Sequence, residues 1–108
     1  MKRGDTVVIV AHGELGRPRP AVIVQADELS DAKSILLCPI TADITERLPI
    51  RPIVEPDESN GLRIRSQIMT DKLLALPLNR VRRVIGRIDL ETTSRLDTAL
   101  LLVLGLAR

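Results

Sequence analysis

Residues 17 to 24 read Arg-Pro-Arg-Pro-Ala-Val-Ile-Val, two guanidiniums and two prolines set directly against an apolar run with the composition of a buried strand. Arginine offers a planar fork of donors suited to bidentate recognition of a phosphate. Pro20 fixes its own backbone and restricts Arg19 before it to an extended conformation, so that guanidinium starts from a defined place at the strand's rim. Such an arginine is either solvated or has a partner. A second group lies in 62–68, where alternation puts Leu62, Ile64, Ser66 and Ile68 on one face and Arg63, Arg65 and Gln67 on the other. That is the period of a half-buried strand with a basic face. His12 is the only histidine and, by its ordinary pKa, the natural acid or base at neutral pH. Cys38, the single cysteine, sits in an apolar run as a small core residue with no second thiol to activate it. One Cys and one His exclude an internal disulfide framework and a zinc site of the usual spacing.

The rest of the composition narrows the partners. With 108 residues, 44% apolar and 28% charged, the chain is expected to be one globular domain spanning 1–108. It contains no Phe, Tyr or Trp, so the core must be aliphatic. Aromatic stacking of nucleic-acid bases is thereby unavailable, and any RNA contact must rest on arginine. Net charge is only +2, yet thirteen of the sixteen basic residues are Arg, which permits an anionic partner without demanding one. The N-terminus carries no apolar signal segment, and the longest apolar stretch, Ala99 to Leu104, falls far short of the roughly 20 residues that cross a bilayer. The expectation is a soluble cytoplasmic protein with no membrane partner.

Six strands and one helix are predicted to position these groups. Thr6–Val10 is rich in β-branched residues and lies between turn signals. Pro20 opens a second strand that continues through Ala21–Gln25, and Ser34–Ile40 is a third. The proline-bearing stretch 49–54 suits a short edge strand, 62–68 the alternating strand, and Arg80–Gly86 the last. The stretch 71–77 is open between a loop and a helical turn, and "EPDESNG" at 55–61 is the strongest turn signal. From Asp89, a plausible N-cap, the period changes: Leu96, Ala99, Leu100, Val103 and Leu104 fall at helical spacing. Leu101, Leu102 and Leu106 widen that apolar surface toward a partner. The fold class is mainly β, a small barrel or strongly bent sheet capped by a C-terminal helix.

Five segments in order, "KRGDTVVIV" at the start, "RPAVIVQ" at Arg19–Gln25, "CPIT" at Cys38–Thr41, "SQIMTDKLLALPLNRV" at Ser66–Val81 and "IGRID" at Ile85–Asp89, followed by a leucine-rich helix, resemble the MazF/PemK toxin endoribonucleases. The similarity spans nearly the whole chain. It implies an SH3-like barrel of antiparallel strands, a homodimer, a cognate antitoxin, and metal-independent, cofactor-free cleavage of single-stranded messenger RNA.

The same resemblance implies roles for particular residues. Arg19 matches the family's phosphate-contacting arginine, which stabilises transition-state charge or protonates the leaving oxygen. Thr41 matches the threonine of the "PIT" segment, whose hydroxyl donates to a phosphate oxygen. A base must take the 2′-hydroxyl proton so that this oxygen attacks the neighbouring phosphate, and Glu14 and Asp71 stand at family-like acidic positions. His12 lies one residue earlier than the histidine of some members, where Gly13 stands here, and Met69 replaces an arginine, so the acid and base assignments stay open. Arg17, Arg63, Arg65 and Gln67 are the further RNA contacts, whereas Arg80, Arg82 and Arg83 are expected to be structural or interfacial. The alternative from another class is a CcdB-like gyrase poison with the same barrel, which would not need Arg19, Thr41 and Asp71.

Overall fold

The computed structural model describes residues 1–10, 17–29, 33–46 and 50–107. The β-branched run after Gly4 forms β1 (Asp5–Ile9), antiparallel to β2 (Arg19–Ile23) in a register from Thr6↔Val22 to Ile9↔Arg19. Arg19 is therefore itself a strand residue. Pro20 is tolerated because the ladder from β2 to β3 (Ser34–Thr41) begins only at Ala21↔Pro39. The long β3 serves two partners along its other edge. Its first half pairs with β6 (Leu74–Pro77), and Ile40 and Thr41 pair with Ile68 and Gln67 of β5 (Ser66–Ile68).

β4 (Ile53–Val54) extends the sheet beyond β5, and β7 (Val81–Arg87) covers β1, giving the order β4-β5-β3-β2-β1-β7 with β6 beside β3. Register shifts against β1 leave Arg82 and Ile85 as extra residues on β7. Bulges of this kind bend a strand and tighten its twist. The sheet accordingly curls into a half-barrel, and among the described residues no strand pair closes it.

Alternation along the strands sorts the aliphatic residues into two layers. Val7, Ile9, Ala21, Ile23, Ile35, Leu37 and Leu76 pack together as one layer. Val22, Cys38, Ile40, Val54 and Ile68 face the other way, where Ile88, Leu96 and Leu100 cover them. Those leucines belong to α1 (Leu90–Val103), which starts where the Asp89 carboxylate accepts the Thr92 N–H at 2.8 Å. The buried stripe stops at Leu100: Val103 is half-buried and Leu104 is exposed, because Leu104 already caps the helix. Leu101, Leu102 and Leu106 are exposed as well.

Two expectations are corrected. The stretch 71–77 is neither loop nor helix alone: a 3-10 turn (Thr70–Lys72) leads into β6, where Leu76 points inward between Ala75 and Pro77. The predicted strand 62–68 is paired only over Ser66–Ile68, whose residues are all buried, while Arg63, Ile64 and Arg65 are all exposed. Alternation fails there because the preceding turn takes the chain off the sheet. Within that turn Asn60 accepts from the Asp57 and Leu62 N–H groups and donates to the Glu55 carbonyl at 2.9 Å. The turn then docks on β7 through two glycines. A Cβ on Gly61, which has φ +70°, would stand 2.2 Å from the Ile85 carbonyl oxygen, and one on Gly86 would stand 2.3 Å from that of Ser59.

Candidate active site

The β2–β3 register pairs residues whose numbers sum to 60, as in Ala21↔Pro39 and Val22↔Cys38. Two residues beyond Ala21↔Pro39, where the ladder stops, lie Arg19 at the start of β2 and Thr41 at the end of β3. Both sit at strand ends, Arg19 exposed and Thr41 half-buried, so rigid backbone supports groups that reach solvent. The Thr41 hydroxyl oxygen accepts the Asp43 N–H at 3.1 Å, which leaves its own hydrogen for another acceptor.

Arg19 and Thr41 line two depressions at once. One is a cleft of about 440 Å³ that also contains Asp43, Thr45, Arg51, Met69 and Lys72. The other is a groove of about 590 Å³ walled by Ile40, Leu62, Ile64 and Ile85, with Arg63 and Arg83 beside them. The pair thus stands between a cleft that also holds Ile9, Pro39 and Leu74 and a groove of aliphatic walls and guanidiniums. Arg19, Arg51 and Lys72 line the cleft with Asp43, and Asp71 pairs with Arg51 at its edge, so basic side chains outnumber carboxylates there.

Gln67 and Thr70 hold the far wall of the cleft in place. The Gln67 carboxamide accepts the Thr45 N–H at 2.8 Å and donates to the carbonyls of Thr45 at 2.9 Å and Arg51 at 3.2 Å. Thr70, fully buried, donates its hydroxyl to the Ile50 carbonyl. With its backbone pinned, Arg51 meets Asp71 side on: Nε donates to Oδ1 at 2.8 Å and Nη2 to Oδ2 at 3.0 Å. These bonds hold the Asp71 carboxyl below the usual carboxylate range and raise the Arg51 guanidinium, despite partial burial.

The predicted residues are distributed unevenly around this centre. Asp71 adjoins the cleft through Arg51. Arg17 is exposed ahead of β2 and lines neither depression, whereas Arg63 lines the groove. Arg65 turns to Glu55 at 2.9 Å. Gln67 is only 1% exposed, so it is not on an open basic face; it braces the cleft from within. Glu14 and His12 lie outside the described residues. Cys38 is completely buried and its thiol is pushed up to about 12 by desolvation, as befits a core residue. Among the described residues no three His, Cys, Asp or Glu side chains gather where they could hold a metal ion, and no helix is long and apolar enough to cross a membrane.

Arg51, Lys72 and Arg83 are absent from the sequence-based site. For Arg51 a signal was present: Arg51-Pro52 repeats the Arg19-Pro20 arrangement. For Lys72 and Arg83 nothing local distinguishes them from solvated cations.

Similarity to known proteins gives the family and the fold. Residues 2–104 match the family described as PemK-like, MazF-like toxin of type II toxin-antitoxin system. A probable endoribonuclease MazF of Mycolicibacterium smegmatis is 34% identical over 108 residues, 99% of each chain. In fold, the chain superposes on an endoribonuclease in complex with its cognate antitoxin from a mycobacterial species with TM-score 0.86, at 18% identity over 100% of this chain and 98% of that one. A MazE-MazF structure from Deinococcus radiodurans gives TM-score 0.80, at 17% identity over 99% and 97% of the two chains. These matches do not favour the gyrase-poison alternative. A curled antiparallel sheet with one C-terminal helix, a full-length relative named as an endoribonuclease and a match over residues 2–104 show that the chain belongs to the PemK-like, MazF-like toxins, a family of endoribonucleases.

Proposed function

We propose that the chain works in the cytoplasm as a homodimeric toxin, one domain over 1–108, that cuts single-stranded messenger RNA at particular base sequences without a metal. The observation that carries this reading is that Arg19 and Thr41 both line a basic cleft and an arginine-flanked groove at once. A strand of RNA laid across both has its phosphate at Arg19 and Thr41 and its neighbouring nucleotides in the two depressions. Arg63 and Arg83 then grip the strand in the groove, with Arg17 at its edge and Arg65 outside, and the aliphatic walls receive bases without stacking rings.

In the reaction, a base removes the proton of the 2′-hydroxyl, and that oxygen attacks the adjacent phosphorus as the bond to the 5′-oxygen breaks. The products are a 2′,3′-cyclic phosphate and a 5′-hydroxyl. Arg19 stabilises the charge that gathers on the phosphoryl oxygens, and Thr41 donates to one of them. Glu14, five residues before Arg19 in sequence, serves as the base, with His12 as the other titrating group of that segment. Asp71 acts within the same centre.

A cognate antitoxin is the expected protein partner. The exposed leucines of α1 and the basic cleft suit an acidic segment that folds on binding.

The test is cleavage of a long RNA of known sequence in the presence of chelator. Discrete cuts with 5′-hydroxyl ends are expected, lost when a folded Arg19→Ala protein is used. Undiminished cutting by that variant removes Arg19 from the mechanism, and absence of cutting by the wild-type protein removes the reading itself.

A further inference from the structure

We infer that Arg51 is a second phosphate-holding group of the cleft and that Asp71 is the residue that positions it, rather than the base of the reaction. This rests on the endoribonuclease reading and adds to it a residue that the family resemblance did not indicate.

Arg51 and Arg19 line the same cleft together with Thr41 and Lys72: Arg19 opens β2, and Arg51 follows Ile50, whose carbonyl accepts from Thr70, while its own carbonyl accepts from Gln67. The Arg51 side chain is 10% exposed, and among the described residues its ion-pair partner is Asp71. That pair uses Nε and Nη2, so Nη1 and the second hydrogen of Nη2 are left for another acceptor. The fork is thus half engaged, with the engaged half fixing its plane. A lysine could not be oriented in this way, because its ammonium is a point charge on a free stem.

The same contact argues against Asp71 as a proton acceptor. Both carboxylate oxygens are engaged by one guanidinium, and Arg51 holds the group in its ionised form below the ordinary range. Lys72 beside it acts in the same direction. A carboxylate so stabilised is a weak base for a hydroxyl. Its charge does restrain the cleft: as a pair, Arg51 and Asp71 are neutral, so Arg51 contributes directed hydrogen bonds rather than net charge.

Steady-state cleavage of a mapped single-stranded RNA separates the roles. In Asp71→Asn, freeing of the Arg51 charge leaves KM unchanged or lower, while loss of orientation lowers kcat about tenfold to a hundredfold. The acid limb of its pH–rate profile stays where the wild type has it. Arg51→Ala lowers kcat/KM about a hundredfold, and Arg51→Lys, with charge but no fork, recovers less than a tenth of that. If single variants fail to fold, the double variant Arg51→Ala with Asp71→Ala removes both charges together and must show the Arg51→Ala defect. Loss of the acid limb in Asp71→Asn, or near-normal kcat/KM in a folded Arg51→Ala or double variant, overturns the assignment. A wild-type protein that cuts no RNA instead overturns the endoribonuclease reading on which it rests.

Discussion

Gln67 and Thr45 exchange two hydrogen bonds, the Thr45 N–H to the Gln67 side-chain oxygen at 2.8 Å and the Gln67 side-chain amide to the Thr45 carbonyl at 2.9 Å. This is how two neighbouring strand residues would meet, except that one partner uses its side chain. The Gln67 amide therefore substitutes for a missing strand beside the loop. Gln67→Leu has similar volume but strands three backbone groups of Thr45 and Arg51, and it should destabilise the fold by about 1–3 kcal/mol. Chemical denaturation measures this. A residue that only touched RNA would weaken RNA binding with no shift in the denaturation midpoint.

Gly86→Ala tests the docking of the 55–61 turn. With Ser59 and Asn60 backbone atoms 2.3 to 2.8 Å from the added Cβ, the turn must move off β7. A loss of about 1–3 kcal/mol is expected, together with lower affinity for RNA because Gly61, Leu62 and Arg63 line the groove beyond. A thermal melt and an RNA titration on the same variant check both halves.

Leu96→Ala probes the layer beneath α1. Leu96 is fully buried between the helix and the sheet, so its truncation should cost about 2–5 kcal/mol, read as a lower urea midpoint.

The Arg51–Asp71 pair predicts the sign of one pH effect. The folded state lowers the Asp71 pKa, so the stabilisation is complete above the ordinary carboxylate range and is lost as pH falls through the depressed folded value. Because about a third of the Asp71 side chain is exposed, solvent screening holds the effect to about 1 kcal/mol or less. Asp89, held down by its bonds to Thr92, changes stability in the same direction. Denaturation midpoints from neutral to acid pH should fall less steeply in Asp71→Asn than in the wild type.

Cys38 should be inert. Its thiol is buried and pushed up to about 12, so native protein should resist alkylation until unfolded, and Cys38→Ala should cleave RNA at the wild-type rate. Mass spectrometry before and after denaturation follows the first expectation.

Much of the framework was legible because it depends on local pattern. β-branched runs marked β1 and β2, Asp89 marked the helix start, and the Arg19-Pro20 pair marked the strand end that carries Arg19. Residues 62–68 misled because a perfect alternation was interrupted by a turn whose φ-positive glycine docks on a strand distant in sequence. Arg65 and Gln67 then fell on different surfaces: one reached Glu55 and the other entered the interior. Arg51 carried a local signal in Arg51-Pro52, but its meaning comes from Gln67, Thr70 and Asp71, residues 16 to 20 positions away whose proximity that dipeptide does not encode.

The all-aliphatic interior has an optical consequence. Without Trp, Tyr or Phe the folded chain is dark in the near ultraviolet, so a single tryptophan placed anywhere becomes its only fluorophore. Ile64 is 59% exposed on the wall of the groove and precedes β5 outside the sheet, which makes it a site where an indole can be added without refilling the core. Emission from Ile64→Trp would report on whatever enters that groove, against no background from the protein itself.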